Sequence, residues 1–194
     1  MDLLSIGKTN NIERDKFVSR FFGLFNEEIA RIYFNSSYSM YLNLGRPTIK
    51  KDGKKYTLDF TLKNKETEKI YICEMKCEMQ YNNYSRLELE AFKQISSHKK
   101  EAFKWFLDIA NNPSIYKIET NKNAVNADGI ILLWGKITND IEKIIEIKKH
   151  FNIHDILSLE NMINIMIKND HKEYYDYINK RKKWINDFFE KCGY

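Results

Sequence analysis

The stretch Tyr56–Cys77, YTLDFTLKNKETEKIYICEMKC, constrains the fold of this chain more than any other. It reads as two strands, Tyr56–Lys63 and Lys69–Cys77, joined by a short polar loop. Along the first, Tyr56, Leu58, Phe60 and Leu62 take one face, and Thr57, Asp59 and Thr61 take the other. Along the second, Ile70, Ile72, Glu74 and Lys76 share a face opposite Tyr71, Cys73, Met75 and Cys77. Both faces of this second strand begin apolar, the pattern of a strand covered on two sides in a layered fold. Glu74 and Lys76 nevertheless sit inside it. Burying a carboxylate and an ammonium is costly unless they are paired or hold a metal, so both charges need a partner.

Loop length decides what lies opposite them. With a loop of Lys65–Glu68, Asn64 faces Lys69 and Asp59 falls directly opposite Glu74, the Cβ atoms roughly 5 Å apart. A loop of Lys65–Glu66 puts Asp59 opposite Ile72, diagonal to Glu74 on the same face. An odd loop would send Asp59 to the other side of the sheet. Any even loop therefore gathers Asp59, Glu74 and Lys76 on one patch. Two carboxylates there repel each other, and a divalent cation that prefers oxygen, Mg²⁺ or Mn²⁺, relieves the repulsion.

An Asp, a hairpin and then Glu-x-Lys on the following strand resembles the PD-(D/E)XK nuclease superfamily, the restriction-endonuclease-like fold. The motif stands here as Leu58-Asp59 and Glu74-Met75-Lys76, with Leu where the family name has Pro. The Asp-to-Glu spacing of 15 residues and the apolar lead-in Ile70–Cys73 fit the pattern. The three residues form a short motif in a chain that is 30% charged, so its specificity comes from the strand context.

The resemblance implies an α/β fold with an α-β-β-β-α-β core, in which a mixed central sheet is flanked by helices. It implies metal-dependent hydrolysis of phosphodiester bonds in DNA, of restriction, mobile-element or repair and defence type. Mg²⁺ or Mn²⁺ would be held by Asp59, Glu74 and the backbone carbonyl of Met75, with Lys76 acting on the attacking water. A homodimer is the expected assembly for cutting both strands. A catalytically inactive DNA-binding or assembly module on the same fold is the alternative.

Ahead of this stretch, apolar residues at helical spacing predict a first helix over Asn11–Phe34. Glu28 interrupts the stripe of Phe21, Phe25 and Ile32, so it is expected to face inward. Members of the superfamily often carry an acidic residue on this helix that completes the metal site, and Glu28 is the candidate. Glu27 is the alternative if the helix is rotated. A strand around Tyr38–Lys50, interrupted near Gly45-Arg46-Pro47, and a turn at Asp52-Gly53 lead into the hairpin as an antiparallel meander. Lys50, Lys51, Lys54 and Lys55 form a basic tip of the kind that touches phosphates.

Beyond Cys77 a second helix is expected over Arg86–Asn111, weakened at Ser96-Ser97-His98. Arg86, Lys93 and Gln94 are its candidates for assisting at the active site or touching nucleic acid. Gly129–Ile137 is a nearly continuous apolar strand that closes the core. The nuclease core is accordingly placed at residues 1–137. Residues 138–194 are expected as a helical extension packed on it, with helices over Thr138–Phe151, Ile153–Lys168 and Lys172–Cys192. No linker rich in Gly, Ser or Pro separates the two parts, so a single domain is expected.

The net charge of +5 leans mildly toward polyanions. Cys73, Cys77 and Cys192 form no C-x-x-C pair and read as thiols in a reducing, cytoplasmic setting. No apolar run has the length of a signal peptide core or membrane span, and seven glycines build neither a Walker loop nor a dinucleotide fingerprint. His150 and His154 have the spacing of paired metal ligands but lack a third partner in the sequence.

Overall fold

The computed structural model describes residues 12–80 and 85–192, with side chains from Arg20 onward except that of Gln80. Asn11, the expected start of the first helix, lies outside the described residues. The helices are α1 (Ile12–Asn35), α2 (Phe92–Ser96), α3 (Glu101–Ile109), α4 (Ile141–Phe151), α5 (Leu159–Lys168) and α6 (Lys172–Lys191). The principal strands are β1 (Tyr41–Gly45), β2 (Pro47–Lys51), β3 (Lys54–Thr57), β4 (Phe60–Asn64), β5 (Ile70–Lys76), β6 (Lys117–Thr120), β7 (Gly129–Trp134) and β8 (Asp155–Ser158).

A mixed five-stranded sheet in the order β1-β4-β5-β7-β8 forms the centre. The pairs β1–β4 and β4–β5 are antiparallel, whereas β5–β7 and β7–β8 are parallel. β7 is apolar on both faces because both are covered. Ile131 and Leu133 join Phe34, Phe60, Leu62, Tyr71 and Cys73 beneath α1, α5 and α6. Ile130, Leu132 and Trp134 join Leu58, Ile72, Phe103 and Phe106 on the side of α2, α3 and α4. A smaller sheet of Asn123–Ala124, β6, β2 and β3 also covers this second side. The protein is thus of mixed α/β class. Among the described residues, no helix is long and apolar enough to cross a membrane.

The strand expected over Tyr56–Lys63 is in fact two. Tyr56 and Thr57 belong to β3, which pairs with β2 in the small sheet, while Phe60 begins β4 in the central one. The break falls at Leu58-Asp59, where the Leu58 N–H still donates to the Pro47 carbonyl at 3.0 Å. Leu58 and Phe60 therefore enter opposite core layers, although their spacing of two suggested one face. A bend lets one chain serve two sheets, and hydropathy alternation cannot register it.

The counterpart of this break is a bulge in β1. Its register against β4 shifts between Asn43 and Gly45, and Gly45 has φ of 119°. A Cβ there would come within 3.1 Å of the Asn121 amide, so both conformation and space require glycine. The bulge swings Arg46 out and delivers Pro47 to the small sheet. The Asp52-Gly53 turn forms as expected, with positive φ at both residues closing Lys51 against Lys54.

Two helical expectations need correction. The segment Arg86–Asn111 is not one helix: Ser85–Arg86 and Glu88–Leu89 form short bridges, and the chain breaks again between α2 and α3. Ile153–Lys168 is not one helix either, because Asp155–Ser158 is β8, an edge strand parallel to β7. The part expected as helical cover thus supplies a strand of the central sheet. Such a half-buried parallel strand reads as an apolar run that periodicity alone cannot distinguish from a helix. Ser158 ends β8 and caps α5, its hydroxyl accepting the Asn161 N–H at 3.2 Å. Ser158→Ala should lower the free energy of unfolding by about 1 kcal/mol, read from the urea midpoint at unchanged slope.

Candidate active site

The hairpin between β4 and β5 closes through the four residues Lys65–Glu68. Asn64 holds that loop: its N–H donates to Lys69 O at 2.9 Å, and its side-chain oxygen accepts the N–H groups of Glu66 and Thr67. The register pairs Phe60 with Cys73, and one step further Asp59 comes opposite Glu74. This is the geometry of the four-residue alternative. Because β4 begins only at Phe60, the Met75 N–H has no ladder partner, and Asp59 Oδ2 accepts it at 2.8 Å. Within an extended strand the N–H and C=O of one residue point to the same side, so the Met75 carbonyl also lies on the Asp59 side.

Glu74 and Lys76 project on the same side of β5. Lys76 Nζ donates to Glu74 Oε1 and sits 4.8 Å from the centre of the Phe103 ring. All three side chains are largely shielded, Asp59 to 18%, Glu74 to 12% and Lys76 to 17% of full exposure. Burial pushes the Glu74 carboxyl up to about 7, and the Asp59 charge adds to the rise against the pull of Lys76. Glu74 therefore carries its negative charge at a cost that Lys76 only partly offsets. The hard oxygen donors of Asp59 and Glu74 suit Mg²⁺ or Mn²⁺, so the residues fit the implied ion. Among the described residues, no group of three or more His, Cys, Asp or Glu side chains converges into a fuller cage.

On α1 the acidic residue facing this cluster is Glu27, not Glu28. Glu28 is 36% exposed and pairs with Arg31 at 3.4 Å on the helix surface. Glu27 is 12% exposed and reaches Arg46 Nη1 at 3.8 Å, while Arg46 Nη2 lies 3.7 Å from Asp59 Oδ1. Burial raises the Glu27 pKa, and the Asp59 charge adds to that rise while Arg46 opposes it. The helix is rotated because Phe21, Phe22 and Phe25 stay at least partly exposed and form a cluster of their own. They pack on one another and, through Phe25, on Tyr177 of α6. The face against the sheet runs instead through Glu27, Ala30 and Phe34. On the activity that the resemblance implies, Glu27→Ala should cut turnover on the order of tenfold, because Arg46 loses the carboxylate that holds it beside Asp59, with Glu28→Ala near wild type. A nicking time course on both variants checks the pair.

An open cleft of about 530 Å³ adjoins Lys76, walled by Phe22 and Gly23 of α1, Met75–Met79, and the Ser97–Lys100 turn with Phe103. His98 stands in that turn, 3.7 Å from Glu78 and edge-on to Phe103 and Trp134. Burial lowers its pKa, and Lys76 and Lys100 lower it further against Glu78. Neither Arg46 nor His98 carried a signal in the sequence beyond a strand interruption and a helix break.

The residues expected to touch nucleic acid are scattered. Lys50 pairs with Glu119 at 2.7 Å, Lys54 with Glu101 at 3.0 Å and Lys51 with Asp108 at 3.9 Å, while Lys55 is exposed. Gln94 is engaged in holding the start of α2, accepting from the Glu90 and Ala91 N–H groups and donating to Glu88 O. Lys93 is exposed on α2, and Arg86 lies off any helix with its stem against Gly135. His150 stacks on Phe92 and His154 on Tyr71, each on a different neighbour. Compared with protein-family models, curated proteins and solved structures, the chain finds no match.

Proposed function

We propose that this protein is a metal-dependent nuclease of PD-(D/E)XK type that hydrolyses phosphodiester bonds in DNA. The observation that carries the reading is Asp59 opposed to Glu74 at the end of β5, with Lys76 on the same side and a cleft beside it. The order α1, β1, β4, β5, α2–α3 and β7 supports the finer fold reading, since it follows the α-β-β-β-α-β core once the small sheet of β2, β3, β6 and Asn123–Ala124 and the two-residue bridges are set aside.

Asp59, Glu74 and the Met75 carbonyl would hold the ion. A bound Mg²⁺ or Mn²⁺ would supply Lewis-acid polarisation of the scissile phosphate and a water of lowered pKa. Asp59 is oriented for this by the Met75 N–H, and Arg46 ties it to Glu27. Lys76 offers its ammonium to the attacking water and to the charge that grows on the phosphoryl oxygens. Phe103, in contact with that ammonium, restricts its access to bulk water.

A second reading, a non-catalytic DNA-binding or assembly module, is favoured by one observation. Lys76 on Glu74 and Arg46 near Asp59 already offset the carboxylate charges without an ion. Nicking of supercoiled plasmid separates the two. The nuclease reading expects relaxed and linear product with Mg²⁺ or Mn²⁺ and none with EDTA. Plasmid bound yet intact at every metal concentration would establish the module instead.

A further inference from the structure

The wall of the cleft formed by the Ser97–Lys100 turn exists because two serines stop α2 after five residues. Ser96 Oγ donates to Phe92 O at 3.3 Å and Ser97 Oγ to Gln94 O at 2.7 Å, diverting the chain from the helical ladder. His98 then anchors the turn. Its ring packs 5.1 Å from Phe103 and 5.8 Å from Trp134, and its N–H donates to Ile95 O at 3.2 Å. A fixed turn presents Lys99 and Lys100, both exposed, at the rim of the cleft beside Lys76. No acidic side chain among the described residues lies within ion-pair distance of either lysine. The β2–β3 tip is different, since Lys50, Lys51 and Lys54 each face a carboxylate and Lys55 alone of its four lysines does not.

Resting on the nuclease reading, we infer that the Ser97–Lys100 turn, and not the β2–β3 tip, grips the nucleic-acid backbone, with Lys99 and Lys100 on phosphates next to the scissile one. An ammonium without an internal partner gains the full counterion-release effect on meeting a phosphate. One already paired must first give up its carboxylate, and the net gain shrinks accordingly. The position adds the second half: the turn and Lys76 line the same cleft, so a phosphate held at the rim lies near the one presented to Glu74 and Lys76. Burial is the main cause of the depressed His98 pKa, Glu78 opposes it, and Lys76 and Lys100 lower it further.

The test is equilibrium binding of a short fluorescein-labelled DNA duplex, and of its single strand, to the intact chain in EDTA across a salt series. Hydrolysis is silent under these conditions, so binding is read apart from catalysis. The Lys99→Ala/Lys100→Ala variant should bind about tenfold more weakly, with the slope of log K against log salt flatter by about 1.5. The Lys50→Ala/Lys54→Ala variant should change affinity less than about twofold. Both should keep the wild-type melting temperature. The reverse ranking, or equal binding by all three proteins, overturns this inference and leaves the nuclease reading standing. Wild-type protein that binds neither DNA overturns both.

Discussion

Lys76→Ala should cleave plasmid on the order of a hundredfold more slowly than wild type, or slower still, while still binding both DNA and the metal ion. On the proposed nuclease reading, chemistry should fail because the ammonium, shielded by Phe103 and held by Glu74, would stabilise the charge that grows in the transition state. DNA binding should persist because affinity comes from dispersed phosphate contacts, of which Lys76 is at most one. Metal binding should be unchanged or tighter, since the Lys76 ammonium competes with any cation for Glu74 Oε1. Isothermal titration with Mn²⁺, anisotropy with labelled duplex and a nicking time course decide it on one variant. Cleavage at the wild-type rate would make Lys76 a structural charge and end the catalytic reading of Glu-x-Lys.

Glu74→Gln should have the opposite character: no cleavage above background, yet a more stable protein without metal at alkaline pH. The folded protein holds the Glu74 proton up to about 7, whereas the ordinary value is 4.5. Between those values the folded state binds more protons than the unfolded one, so this group's contribution to stability falls as pH rises through the window. The accumulated cost well above pH 7 is on the order of 3 kcal/mol. Gln keeps the shape, carries no charge and can donate to Asp59, so that cost disappears.

Urea unfolding of both proteins in EDTA at pH 5 and pH 8 reads the effect as the difference between variant and wild type. The difference should widen in favour of Gln toward pH 8. A difference that stays flat, or that favours Glu at pH 8, would mean the site solvates its charge well and has no need of a cation. In wild type, added Mn²⁺ should raise the melting temperature more at pH 8 than at pH 5, because at low pH the ion must displace a proton from Glu74.

The hairpin was legible because its information is local. Strand alternation and the polar loop Lys65–Glu68 set the register of β4 on β5, and that register carries Asp59 to Glu74 wherever the hairpin sits in the fold. β7 was legible from its unbroken apolar run, and α6 from its helical spacing over Lys172–Lys191. The break of the second helix followed from two successive serines, whose side chains bond to backbone carbonyls.

What the sequence determined by itself was therefore which segments pair and which charged residues share a side of the sheet. Tertiary structure alone decided that α1 turns Glu27 inward. Gly23 and Ala30 carry little hydropathic weight, while Phe21 and Phe25 pack on each other and Phe25 packs on Tyr177 of α6. It decided that the chain bends at Asp59, because Leu58 and Phe60 are claimed by different layers. It also made Asp155–Ser158 a strand, through pairing with β7, about which an isolated apolar run says nothing. Periodicity records how a segment divides between wet and dry, and each of these three choices lies between two dry alternatives, where only the neighbouring layer selects.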